Sequence, residues 1–173
     1  MNKEELKKII RDVPDFPKQG IMFKDITTIL KDKTAFHSSI QLLLNEAKKH
    51  KVDKVVGIES RGFIHGSLIA YELGSGFVPI RKPGKLPAET ISETYELEYG
   101  TDSIEIHKDA ISAGEKVVII DDLLATGGTA EAACRLVEKL GGEIVLVAFL
   151  IELKFLNGRK RLSDRNVFAL LDL

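Results

Sequence analysis

Three runs in this chain, KVVGIE (54–59), KVVIIDD (116–122) and EIVLVAFLIEL (143–153), are apolar at nearly every position. A strand on a one-sided sheet alternates apolar and polar residues, because successive side chains point to opposite faces. Runs without that alternation must be covered on both faces, as parallel strands inside an α/β sheet are. FVPIRK (77–82) and VFALLDL (167–173) supply two further strands. Helical patterns at about 62–73 and 129–141 lie between them and give βαβ crossovers. The expected fold is therefore α/β, an open, mostly parallel twisted sheet flanked by helices.

Other segments fit around that sheet. Residues 3–12 predict a short charged helix, and Pro14, Pro17 and Gly20 then break any helix. A helix returns at 34–50, where Phe36, Ile40, Leu43, Leu44 and Ala47 share one face. Residues 94–109 alternate around Gly100, which predicts an antiparallel hairpin standing off the main sheet. NGRKRLSDRN (157–166) has the composition of a solvated turn. There is no repeat, low-complexity tract or Gly/Ser-rich linker, so one compact unit over 1–173 is expected.

The net charge of −1 speaks against a general nucleic-acid or anionic-membrane binder. No apolar run reaches membrane-spanning length and the N-terminus has no signal-like apolar stretch, so a cytoplasmic protein is expected. The single cysteine, Cys134, excludes an intrachain disulfide. It recurs with Ala130, Ala133, Val137 and Leu140 at helical spacing and is expected to be a buried small apolar residue. The four histidines show no metal-binding spacing.

The chemistry concentrates in VVIIDDLLATGGT (117–129). A buried strand ends in Asp121 and Asp122, a Gly/Thr-rich turn follows, and a helix begins. Ligands of open α/β sheets bind beyond the carboxyl ends of the strands. The turn from Ala125 to Thr129 can offer backbone N–H groups and a helix start to an anion. Thr126 and Thr129 add hydroxyls, while Gly127 and Gly128 let the backbone approach closely. This is a phosphate cradle. No Lys follows the glycine pair and no G-x-G-x-x-G occurs, which sets it apart from Walker and dinucleotide-binding loops. Two acids beside a phosphate repel it unless the ligand also carries hydroxyls or a cation. A ribose 5-phosphate satisfies both ends.

The motif closely resembles the signature of the type I phosphoribosyltransferases, enzymes that bind phosphoribosyl pyrophosphate (PRPP). Within that family the chain looks like the adenine-specific branch. DFPKQGIMFKDIT (15–27), GIESRGFIHG (57–66), IRKPGKLP (80–87), YELEYG (95–100) and IEL (151–153) carry the resemblance across nearly the whole chain. It implies transfer of a phosphoribosyl group from PRPP to adenine, giving AMP and pyrophosphate, with substrate-bound Mg²⁺ and no dedicated protein metal ligand. A homodimer is also implied.

The resemblance assigns residues as well. Ser60 and Arg61 would hold pyrophosphate, with a non-proline cis peptide between Glu59 and Ser60. Arg81, Lys82 and Lys85 would add positive charge there, and Asp121 and Asp122 would hold the ribose. Glu98 and Tyr99 would come over the site on closure of a mobile loop at about 83–107, with Glu98 managing a proton on the base. The purine would lie between Phe23 and Leu153, its edge read by the backbone of Met22 and Lys24. Segments at about 1–30 and 150–165 would form a hood. This chain has Glu59 where some relatives have Asp, and Lys24 where others have Arg. Two other readings stay open: a 6-oxopurine phosphoribosyltransferase, for which Lys154 is the nearby lysine, and a non-catalytic PRPP-sensing regulator.

Overall fold

A computed structural model describes residues 1–96 and 100–173, so Glu98 and Tyr99 lie outside the described residues. The chain forms two compact units, Met1–Leu42 and Leu43–Leu173.

The first unit opens with α1 (Lys3–Ile9), capped by Asn2 and Glu5, whose side chains each accept a bond from the other's backbone N–H. The helix ends earlier than residues 3–12 suggest, because the next residues form a strand. β1 (Arg11–Pro14) pairs antiparallel with β2 (Met22–Asp25). A short α2 (Thr27–Leu30) follows, and α3 (Lys33–Ala47) starts in this unit and ends in the second. Leu6, Ile26 and Ile29 are buried.

The second unit holds β3 (Lys54–Ile58), α4 (Gly62–Leu73), β4 (Gly76–Ile80), β5 (Thr90–Glu96), β6 (Thr101–His107), β7 (Lys116–Leu124), α5 (Gly128–Lys139), β8 (Glu143–Glu152) and β9 (Val167–Asp172). Five strands make one parallel sheet in the order β4-β3-β7-β8-β9. The apolar runs sit where continuous burial demands: Val55, Val56, Val117–Ile120 and Leu146–Ile151 are buried. Val56, Ile58, Val117 and Ile119 share a core with Ala133, Cys134 and Val137 of α5. Gly57 and Ile120, pointing the other way, meet Gly66 of α4. The two helices therefore cover opposite faces.

From β3 the chain crosses to β4 on one side, and from β7 to β8 on the other. The carboxyl ends of β3 and β7 thus form a topological switch point, where such sheets bind ligands. The hairpin β5–β6 is a separate two-stranded sheet, but it is not free-standing. Tyr95, Ile104 and Ile106 are buried in the core under α5. Arg81, just past β4, pairs with Glu105 through two backbone bonds of 2.9 and 2.7 Å.

Candidate active site

Both loops at the switch point are short turns running straight into helices. After β3, Glu59–Ser60–Arg61 leads into α4, and the Glu59–Ser60 peptide is cis. A Cβ at Gly62 would lie 2.7 Å from the carbonyl oxygen of Ile120 and 3.0 Å from Asp121 Oδ1. Only glycine lets the start of α4 come this close to the end of β7. After β7, Ala125 and Thr126 lead to Gly127 at φ +86°, which caps α5.

These loops enclose a cavity of about 370 Å³, within the usual range for small-molecule sites. Glu59, Ser60 and Arg61 line it from β3, Asp121, Asp122, Ala125 and Thr129 from β7, and Lys82 and Tyr95 from the far side. A smaller hollow of about 60 Å³ continues along Thr126, Gly127 and Gly128. A larger hollow, about 530 Å³, lies between Arg159 and Val167. It adjoins the amino end of β9, and Arg159 and Arg165 there are paired with Glu152 and Glu138.

Charge in the main cavity is balanced in pairs. Arg61 Nε lies 2.8 Å from Asp122 Oδ2, joining the pyrophosphate and ribose assignments in one ion pair. The Asp122 backbone N–H donates to Asp121 Oδ1 at 2.8 Å. Burial raises the pKa of Asp121 well above the ordinary aspartate value, and the adjacent Asp122 carboxylate adds to the shift. Burial also raises Asp122, against the opposing pull of Arg61. Two adjacent buried carboxyls are thus held at a cost in their ionised form, which hydroxyl donors or a cation would lower.

Glu59 organises the opposite wall. Its carboxylate accepts from Arg81 Nε at 3.2 Å, Arg81 Nη2 at 3.1 Å and the Lys82 backbone N–H at 2.9 Å. The Arg81 bonds, then that of Lys82, hold its pKa below the ordinary glutamate value. Arg81 is consequently turned to Glu59 and to the Lys85 carbonyl oxygen, and neither Arg81 nor Lys85 lines the cavity. Lys82 does, donating to Tyr95 Oη at 3.1 Å and to Asp102. Burial disfavours the Lys82 ammonium, but these two partners outweigh it and its pKa rises.

The remaining assigned residues are distributed between the units. Met22 is exposed, Phe23 is half-buried edge-on to Phe16 at 5.1 Å, and Lys24 pairs with Asp12 at 2.7 Å. Leu153 is buried just past β8 in the second unit. His65, buried in α4, has its pKa pulled to about 4 by burial, which makes it a neutral core residue. Cys134 is buried with its thiol pushed up to about 12 by burial.

Residues 26–171 match the phosphoribosyl transferase domain family. The adenine phosphoribosyltransferase of Geobacter metallireducens is 62% identical over 168 residues, covering 97% of this chain and 98% of that protein. The chain belongs to the adenine phosphoribosyltransferase family. The crystal structure of adenine phosphoribosyltransferase from Thermoanaerobacter pseudethanolicus superposes with a TM-score of 0.97 at 56% identity, covering 99% of this chain and 100% of that one. The Saccharomyces cerevisiae enzyme, solved with an imino-altritol bisphosphate and adenine, gives 0.90 at 47% identity over 98% of each chain.

Within this family site, sequence reasoning missed three contributors. Tyr95 and Asp102 reach Lys82 only because they face each other across the hairpin. Gly158 packs against the cradle from behind. A Cβ on Gly127 would lie 2.5 Å from the Gly158 carbonyl oxygen, and one on Gly158 would collide with the Ala125 carbonyl oxygen. The segment expected to be a solvated turn instead forms a 3-10 turn over Gly158–Leu162, with Gly158 and Leu162 buried. Arg159 there grips buried Glu152 with bonds of 2.6 and 3.1 Å.

Proposed function

We infer that this chain transfers the 5-phosphoribosyl group of PRPP to adenine, releasing AMP and pyrophosphate in purine salvage. The observation that carries the reading is the convergence of cradle, acids and cations on one cavity at the β3/β7 switch point. The 5′-phosphate sits on Ala125–Thr129 at the start of α5. Asp121 and Asp122 take the ribose hydroxyls, and their charge favours a cationic sugar. Ser60, Arg61 and Lys82 receive the pyrophosphate, with Arg81 and Lys85 acting from just outside the cavity.

Adenine N9 attacks the anomeric carbon as the bond to pyrophosphate oxygen breaks, its electron pair leaving with pyrophosphate. Cations already in place stabilise that departing charge without reorganising. Glu98 takes the proton lost from the base. Within the segment at about 83–107 that the resemblance makes a mobile loop, Tyr95, Ile104 and Ile106 are anchored in the core, so closure that excludes water falls to the rest of that segment. For the base, the family resemblance assigns the side chains of Phe23 and Leu153 and the backbone of Met22 and Lys24.

No group of three or more His, Cys, Asp or Glu among the described residues forms a cation cage. The Asp121–Asp122 pair offers hard oxygen donors, which suits Mg²⁺ held chiefly by substrate oxygens and water. When bound, Mg²⁺ supplies positive charge to the pyrophosphate oxygens. No helix among the described residues is long and apolar enough to cross a membrane. We place the enzyme in the cytoplasm as a homodimer, which light scattering tests.

The direct test offers adenine, hypoxanthine, guanine and xanthine separately with Mg²⁺ and PRPP, and follows pyrophosphate release. Release with adenine alone, with AMP formed, is expected. Release with a 6-oxopurine instead overturns the base assignment. PRPP binding without release from any base favours the regulator.

A further inference from the structure

We propose that Asp102 and Tyr95, on the two arms of the β5–β6 hairpin, are positioning residues that fix the Lys82 ammonium where it meets the pyrophosphate of PRPP. The inference rests on the reading of the cavity as a PRPP site and adds two residues to it.

Lys82 follows β4 in a loop whose neighbours are already strapped down. Its own backbone N–H is bound by Glu59, Arg81 is paired with Glu105 through backbone bonds, and the Gly84 N–H donates to Glu105 Oε2 at 3.1 Å. A lysine head on four methylenes would still sample many positions from such a fixed base. Here two of its three donors are taken. One reaches Asp102 and one reaches Tyr95 Oη at 3.1 Å, which in turn donates to Asp102 Oδ2 at 3.2 Å.

That pair is itself fixed. Asp102 Oδ1 accepts the Ser103 backbone N–H at 2.8 Å, and Ser103 shares a hydroxyl contact of 2.9 Å with Thr94 across the hairpin. Tyr95 is 6% exposed, so its ring cannot swing away without opening the core. Tyr95 and Lys82 line the cavity while Asp102 stands behind them. The third ammonium donor remains for an anion in the cavity, and PRPP binds without first ordering the side chain. Asp102 acts through Lys82 and does not touch substrate.

The test is a cycle of four proteins: wild type, Lys82→Ala, Asp102→Ala and the double variant. Each is assayed for the KM of PRPP, the KM of adenine and product inhibition by pyrophosphate. Asp102→Ala is expected to raise the KM of PRPP and the pyrophosphate inhibition constant about tenfold, the loss of one well-placed charge-assisted contact. The KM of adenine should stay within about twofold, and Asp102→Asn, which keeps an acceptor, should lose less. In the Lys82→Ala background the Asp102 substitution should have no further effect, which a purely structural role would not produce. An equal loss in that background, no loss at all, or tighter pyrophosphate binding in Asp102→Ala overturns the proposal. If Asp102→Ala fails to fold, the Asp102→Asn cycle decides by the same criteria. A wild-type protein that releases no pyrophosphate from PRPP with adenine overturns the underlying reading instead.

Discussion

The two walls of the cavity are built from different materials. The cradle wall is backbone against backbone: Gly127 at φ +86° lies against Gly158, and the start of α4 touches the end of β7 through Gly62. The facing wall is side-chain charge: Glu59 with Arg81, Lys82 with Asp102 and Tyr95. Close-packed backbone has one arrangement and resists displacement. Charged side chains at a partly solvated surface hold a ligand through contacts that water can take over when the ligand leaves. A substrate that is held by one end and loses the other needs one of each. The 5′-phosphate stays through the reaction, and the pyrophosphate leaves.

That contrast can be broken experimentally. The largest effect is expected from Gly158→Ala, because the added methyl must displace the Ala125 carbonyl and the cradle with it. The KM of PRPP should rise about 100-fold, the usual result of an ångström of misplacement. An unchanged KM in steady-state kinetics would show that the back of the cradle is soft. Arg61→Ala comes next, removing the cation we assign to pyrophosphate and stranding buried Asp122. A drop of about thirtyfold in kcat/KM is expected, and a drop below about threefold would remove Arg61 from the site.

Asp121→Asn probes the floor between the walls. Both acids hold protons more tightly folded than unfolded. Their protonation therefore favours the fold below the ordinary aspartate value of 3.8, and that contribution is lost as pH rises through their raised values. The amide removes the Asp121 part of this slope, so the Tm of the ligand-free protein at pH 8 should rise by about 3 °C in calorimetry while PRPP binding weakens. A fall in Tm would mean the acids are stabilised without ligand. Glu59→Gln, which loosens the charged wall alone, should cost about fivefold in pyrophosphate affinity and leave ribose 5-phosphate binding unchanged.

Much of this architecture was legible in the chain because its signals are local. Parallel strands announced themselves through continuous apolar runs, and the cradle was contiguous from Asp121 to Thr129. What escaped depends on pairing over distance. The β1–β2 hairpin is largely exposed and interrupted by Pro14 and Pro17, so it leaves no alternation to read. Gly158 and Leu162 sit in a polar run whose burial comes from contact with residues about thirty positions earlier. Asp102 and Tyr95 acquire their role from hairpin register, and Arg81 loses its place in the cavity to Glu59. In each case the sequence names the residue type, and the partner decides its use.

The division between the walls is tested most directly by measuring ribose 5-phosphate and pyrophosphate binding separately, by calorimetry, in wild type, Gly158→Ala and Lys82→Ala. Gly158→Ala should lose affinity for ribose 5-phosphate and keep it for pyrophosphate, while Lys82→Ala should do the reverse. Equal loss of both ligands in both variants would mean that the cavity acts as a single unit, and would contradict the account.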